Sequence, residues 1–325
     1  MRPRIFVTQP VADSAIARLR EVATVKVNPD SSRIIAKRAL VAAVRRCDIL
    51  FSLLHDGIDR DVIAANGKLR LIASQSITPD NIDVAEATKR GIPVTVVPPV
   101  VAEATADIHF GLMIAVARRM VEGERLVRAG KFPGSQSNHL AGVYVHGKTI
   151  GIVGAGRIGQ ATARRARGFG MKIIYWGPRR KPEAERELGM EHVSLERLLT
   201  EADFVSLHPP LNAETHHMIS DAQFALMKPT AFIINTARGA VIDEKALVRA
   251  LKKKRIAGAG LDVFEHEPKL PPALKTMKNV VLTPHLGSAV MEVREQMANI
   301  VVDNLQALIS GGTPPNCVNP QVLGR

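Results

Sequence analysis

Short apolar runs alternate with segments of helical periodicity from the first residues of the chain. Residues 5–8, 48–53, 69–74 and 93–97 are runs of strand length rich in Ile, Leu, Val and Phe. Between them, 11–22, 59–65 and 84–90 carry apolar positions at helical spacing. Gly91 stops the last of these as a C-terminal glycine does. The alternation predicts a parallel-sheet α/β domain. A long helical stretch follows over 101–130, then a Gly/Pro/Ser-rich break over 131–138. Thr149–Val153, Lys172–Trp176, Phe204–Leu207, 231–235, Gly258–Leu261 and 280–283 continue the strand series, and 289–308 reads as a last helix.

The chemistry begins after Thr149–Val153. This strand enters a turn with Gly154, Gly156 and Gly159; a helical segment follows, and Lys172–Trp176 closes the unit. A G-x-G-x-x-G motif in this setting binds a dinucleotide. Gly154 permits the tight turn. Gly156 lets the backbone approach a pyrophosphate, and Gly159 lets the helix pack on the strand. Arg157 and Ile158 open a helix whose free N–H groups face the phosphates. Binders of NAD carry an acid about 20 residues further on, against the ribose 2′-OH. Gly177 fills that place here, and Arg179, Arg180 and Lys181 follow with no carboxylate before Glu183. Three cations suit a 2′-phosphate, so the sequence predicts NADP (NADPH) in preference to NAD, with NAD left open.

Three later strand ends carry polar groups: Asn235–Gly239 with Arg238, Asp262–Pro268 with Glu267, and Thr283–Ser288 with His285. Ligands of open parallel sheets sit outside the carboxyl ends of strands. Reducing a carbonyl by hydride requires a proton delivered to oxygen, which a histidine near neutral pKa can supply. A carboxylate orients such a ring, and a guanidinium grips an anionic 2-oxo acid. Arg238, Glu267 and His285 supply one of each and are the predicted catalytic residues.

Composition narrows the class. The chain has 325 residues, enough for two domains, and is 46% hydrophobic and 23% charged, as a folded globular protein is. No apolar run is long enough to span a bilayer. The N-terminal residues show no signal-peptide apolar region, so a cytoplasmic location is expected. Cys47 and Cys317 are far apart without metal-ligand spacing, and no metal site is expected. Net charge is +13, but the basic residues are scattered and aromatics make up only 4%. That favours attraction of an anionic substrate and cofactor over nucleic-acid binding.

Over 53–319 the chain resembles the D-isomer-specific 2-hydroxyacid dehydrogenases. The motifs that carry this are Asp80-Asn81-Ile82-Asp83, Ala87-Thr88-Lys89-Arg90-Gly91, Glu103-Ala104-Thr105-Ala106-Asp107, the glycine loop and the three strand-end segments. The resemblance implies a Rossmann-type coenzyme domain, residues 102–286, inserted into a flavodoxin-like catalytic domain formed by 1–101 plus 287–325. Both would be doubly wound parallel-sheet domains, with an active site in the cleft. It implies that Arg238 binds substrate, that Glu267 pairs with His285, and that His285 donates the proton. Asp262 would stand near the nicotinamide carboxamide, with Thr236 and Ala237 lining the same pocket. His208, Pro209 and Thr215 would belong to the loop covering the cofactor. The cations at 179–181 resemble those of NADPH-dependent glyoxylate and hydroxypyruvate reductases. The helix from Val101 resembles the family's dimer-forming element, which implies a homodimer.

Two departures from the family pattern alter the pocket floor. Where the family has Ser-Val-Gly, with backbone N–H groups holding the substrate carboxylate, this chain has Ser76-Ile77-Thr78 followed by Pro79. Pro98-Pro99 replaces a common Pro-Gly. Ile77 and Thr78 are the predicted carboxylate binders. The substrate is expected to be a small anionic 2-oxo acid of glyoxylate, hydroxypyruvate or 2-ketogluconate type. Oxidation of phosphite or another oxyanion on the same fold is an alternative, although the lysine expected in that loop is missing. A dinucleotide-sensing module resembling the corepressors of this fold is another.

Overall fold

The computed structural model describes residues 2–324. Contacts divide the chain into two compact units: one runs up to Val100 and resumes at Val290, and the other is Val101–Ala289.

The first unit opens with β1 (Arg4–Val7), α1 (Asp13–Val22), β2 (Thr24–Val27) and α2 (Lys37–Val44). It continues with β3 (Ile49–Ser52), α3 (Arg60–Ala64), β4 (Leu71–Ser74), α4 (Val84–Lys89) and β5 (Val94–Thr95). The strands pair in parallel in the order β2-β1-β3-β4-β5, the doubly wound order of flavodoxin-like sheets. β3 and β4 are buried at every residue, which is why they read as unbroken apolar runs. Phe6, Leu50 and Ile72 pack with Leu40, Val62 and Val94 into one core.

In the second unit, the helical stretch over 101–130 is two helices, α5 (Ala102–Ala117) and α6 (Met120–Arg128). The break coincides with a left-handed residue and a contact from further along the chain. Arg119 is left-handed at φ 52°, and the Val143 N–H donates to the Ala117 carbonyl at 3.0 Å. The chain then forms β6 (Thr149–Val153), α7 (Arg157–Gly168), β7 (Lys172–Trp176), α8 (Pro182–Leu188) and β8 (Met190–His192). Next come α9 (Leu195–Glu201), β9 (Phe204–Leu207), α10 (Asp221–Leu226), β10 (Phe232–Asn235) and α11 (Glu244–Lys252). β11 (Gly258–Leu261), α12 (Pro272–Thr276) and β12 (Val280–Leu282) complete the unit. Its seven strands are parallel in the order β12-β11-β10-β9-β6-β7-β8, the Rossmann order with an added strand. The strand order reverses between β6 and β9, and ligands of such sheets enter at that point.

The last helix, α13 (Met291–Ile309), returns the chain to the first unit. There Arg18 of α1 donates to Asp303 Oδ1 at 2.7 Å and to Asn299 Oδ1 at 2.9 Å. Beyond it, Asn319 Oδ1 accepts the Val94 N–H of β5 at 2.8 Å. Among the described residues, no helix is long and apolar enough to cross a membrane.

Candidate active site

The polar groups singled out in the second unit lie on the segments that follow the carboxyl ends of its strands. Gly154, after β6, is at φ 94°, where a side chain is strained. A Cβ there would stand 2.9 Å from the His208 carbonyl carbon and the Pro209 nitrogen. The glycine turn and the loop after β9 are thus pressed together at the switch point. A Cβ on Gly159 would overlap the Gly154 carbonyl. Gly156 differs, because no atom of the chain lies within 4 Å of its Cβ position. No side chain caps α7, and the N–H groups of Arg157, Ile158 and Gly159 precede the first helical bond, from Gln160 to the Gly156 carbonyl. An open cradle over Gly156, rimmed by uncapped amides, suits a pyrophosphate.

Beyond β7 the loop is held by a small network. The Lys181 N–H donates to the Tyr175 hydroxyl at 2.7 Å, and that hydroxyl donates to Glu185 Oε1 at 2.6 Å. Arg180 Nε donates to the same carboxylate at 3.1 Å. The Arg180 and Tyr175 bonds hold the Glu185 carboxyl down at about 2. One of the three cations is therefore committed to an internal partner, because Glu185 stands in the first turn of α8 within its reach. Among the described residues, the side chains of Arg179 and Lys181 have no ion-pair partner.

His208 and Pro209 lie against the glycine turn, and Thr215 ties off the same loop. The Thr215 hydroxyl accepts the Asn212 N–H at 2.9 Å and donates to the Pro210 carbonyl at 2.6 Å. After β10, Asn235 Oδ1 accepts the Ala237 N–H at 3.0 Å, while its Nδ2 donates to the Arg238 carbonyl at 2.9 Å. This side chain clamps the turn that carries Thr236, Ala237 and the half-buried Arg238.

Glu267 and His285 meet directly: His285 Nδ1 is 2.8 Å from Glu267 Oε2, and both side chains are mostly enclosed. The other Glu267 oxygen, Oε1, accepts the Phe264 N–H at 2.9 Å. His285 has a left-handed backbone, φ 56°, which costs a non-glycine residue of the order of 1 kcal/mol. Asp262 maintains it. Its carbonyl accepts the His285 N–H at 2.9 Å, Oδ1 accepts Leu286 N–H at 2.7 Å and the Thr283 hydroxyl at 2.6 Å, and Oδ2 accepts Gly287 N–H at 2.8 Å. Burial pushes the Asp262 carboxyl above the usual range, against the pull of these bonds.

Ile77 and Thr78 belong to the other unit, after β4. There the Ser76 carbonyl accepts the Val97 N–H at 2.9 Å, and the Thr78 hydroxyl donates to Asp80 at 2.7 Å. Among the described residues, the Ile77 N–H donates to no backbone carbonyl.

The family model of the D-isomer-specific 2-hydroxyacid dehydrogenase NAD-binding domain matches residues 110–287. The chain belongs to that family. A glyoxylate reductase from Thermococcus litoralis is 49% identical over 327 residues, which span 99% of this chain and 98% of that one. The TT0316 protein of Thermus thermophilus superposes with a TM-score of 0.90 at 43% identity, covering 97% of this chain and 99% of that one. A glyoxylate/hydroxypyruvate reductase from Sinorhizobium meliloti, described as NADPH-dependent and solved with NADP and malonate, has a TM-score of 0.84 at 32% identity, with coverage of 98% and 97%. As a 2-hydroxyacid dehydrogenase the chain is an NAD(P)-dependent oxidoreductase, built for small 2-oxo acids.

Residues with no role in the sequence reading also bear on the site. His109 and Ser206, polar and fully buried, join the loops after β9 and β10. The signal was present: one histidine in the apolar run Ile108–Met113, and one serine within a buried strand.

Proposed function

We propose that this dehydrogenase reduces glyoxylate, or a close 2-oxo acid such as hydroxypyruvate, to the D-2-hydroxy acid with NADPH. The observation that carries the reading is the 2.8 Å pairing of His285 Nδ1 with Glu267 Oε2 beside the strand end that bears Arg238. The glyoxylate reductase from Thermococcus litoralis supports the substrate class at 49% identity.

Gly154, Gly156, Gly159 and the first amides of α7 hold the pyrophosphate, and Pro209 and Thr215 close over it from the β9 loop. Arg179 and Lys181 take the 2′-phosphate, which is the basis for the NADPH preference. Thr236, Ala237 and Asp262 face the nicotinamide half. Bound reduced nicotinamide supplies the hydride. Arg238 orients the substrate carboxylate. Glu267 holds His285 by Nδ1, and the ring delivers a proton from Nε2 to the carbonyl oxygen. The Phe264 N–H keeps Glu267 in place while it does so.

The chain also fits a homodimer. Met120, Val127, Phe132 and Tyr144, on and just after α6, are exposed apolar side chains within a single stretch of sequence.

The test is turnover of glyoxylate, hydroxypyruvate and 2-ketogluconate with NADPH and with NADH, alongside phosphite with oxidised cofactor. Faster reduction of a 2-oxo acid with NADPH is expected. Phosphite oxidation without 2-oxo acid reduction would overturn the substrate assignment, and a preference for NADH would overturn the cofactor assignment.

A further inference from the structure

His109 sits within α5, its side chain fully buried. Its Nδ1 is 3.0 Å from Thr236 Oγ1, and its Nε2 is 2.7 Å from Ser206 Oγ. The Ser206 oxygen is also 2.7 Å from His208 Nε2, and the two imidazole rings stand 4.6 Å apart. These four side chains form one hydrogen-bonded file. It runs from the β9 loop, pressed against Gly154, to the β10 turn that carries Arg238.

Burial lowers the pKa of both rings, that of His109 well below the usual histidine range with a further push from His208, and that of His208 to about 3. Both are therefore neutral, each with one N–H and one lone pair. If both rings donated to Ser206, its own proton would be stranded. The file then has two senses. In one, the Thr236 hydroxyl donates to His109 Nδ1 and the series ends on an N–H at His208 Nδ1. That atom is buried with no partner among the described residues, and an orphaned buried N–H is the rarer and costlier defect. In the other sense, His208 Nε2–H donates to Ser206, Ser206 to His109 Nε2, and His109 Nδ1–H to Thr236 Oγ1. Only a lone pair on His208 is then unmet at the inner end, and the Thr236 proton is directed out of the file.

We propose that His109 is a positioning residue that fixes the Thr236 hydroxyl as a hydrogen-bond donor to an acceptor oxygen on the nicotinamide half of the dinucleotide. The proposal rests on the cofactor reading given above. His109 does not touch the reacting atoms. It sets the polarity of a group that faces them, and it ties the two loops flanking the switch point into one unit.

Long-range proton–nitrogen spectra of histidine-labelled enzyme without cofactor read the ring directly. A neutral His109 protonated at Nδ1 is expected from about pH 5 to about pH 8. Protonation at Nε2, or a charged ring, would overturn the proposal. Fluorescence titration with NADPH supplies a second reading. Gln at 109 reaches Ser206 and loses Thr236, whereas Asn keeps an N–H near the Nδ1 position. H109Q and T236V should each weaken NADPH by about 5- to 10-fold, with the double variant no weaker than the poorer single one. H109N should stay within about 2-fold of the parent. Losses that multiply in the double variant would overturn the proposal. Failure of the parent enzyme to bind NADPH at all would instead strike the cofactor reading, while the tautomer of His109 would still test the sense of the file. If the variants do not fold, the spectrum of the parent enzyme decides alone.

Discussion

Gly239 lies flat against the carbonyl of Phe264, so that a Cβ on Gly239 would overlap that carbonyl and the Glu265 nitrogen. Gly239 directly follows Arg238, and the Phe264 N–H donates to Glu267. One glycine thus fixes the spacing between the turn that bears the guanidinium and the loop that bears the carboxylate. Buried Glu244 also holds this loop, accepting the Glu265 N–H at 3.0 Å.

Gly239→Ala should therefore damage catalysis more than cofactor binding. The loop must move to admit the methyl, and displacement of a catalytic group by about 1 Å can cost on the order of 100-fold in rate. Steady-state kinetics with a 2-oxo acid should show kcat/KM falling by about that factor, with NADPH titration little changed. A variant as active as the parent would mean that the Arg238 and Glu267 loops are not coupled through this contact.

His285→Ala should lower kcat by about 100- to 10,000-fold, the range for loss of a general acid. NADPH affinity should hold, because the ring is paired to Glu267. Glu267→Gln keeps the side-chain shape but removes the charge beside Nδ1, and should lower kcat by a smaller factor. Single-turnover absorbance of the reduced nicotinamide separates the two effects. Turnover in His285→Ala equal to the parent would remove the proton-donor assignment.

How much was legible in the sequence depended on how local the cause was. β6, β7, β9 and β11 match the apolar runs to the residue, because strands buried on both faces leave an unbroken pattern. The sequence reading missed β2 and β8, since short edge strands with alternating exposure give little signal. The break between α5 and α6 was hidden, because it is imposed by Val143, far along the chain. The residue types of the candidate site were legible in the segments after the strands, and the Glu267–His285 contact is what the structure adds. The pairing of Arg180 with Glu185 was not, because a run of three cations does not show which of them will turn inward.

That pairing sharpens the cofactor prediction. Arg180 is held by Glu185, which leaves Arg179 and Lys181 to meet a 2′-phosphate. Arg179→Asp should lower kcat/KM for NADPH by about 10- to 100-fold while changing NADH little, since a charge-assisted hydrogen bond is lost and a repulsive carboxylate gained. Arg180→Ala should also weaken NADPH, by unpairing Glu185, and adding Glu185→Gln should restore it. An unchanged ratio between the two cofactors in Arg179→Asp would show that the 2′-phosphate is not read by this loop.

The neutral rings of the buried file also fix a pH dependence of stability. Burial lowers His208 from 6.5 to about 3, and His109 moves in the same direction. Below 6.5 the unfolded chain takes up protons that the folded one refuses, so this contribution is complete above 6.5 and is lost as pH falls toward about 3. His208 contributes a slope of about 1.4 kcal/mol per pH unit across that window, and His109 adds to it in the same sense. Asp262 and Glu244, both raised by burial, act in the opposite sense, and they are common to the parent and a histidine variant. Comparing slopes therefore isolates the ring. Thermal unfolding of the parent and of His208→Gln between about pH 6.5 and about pH 4.5 should show the parent losing about 5 °C more in Tm over the interval. Equal losses would mean that His208 takes up a proton in the folded protein, and that the file is not the dry, neutral structure its distances describe.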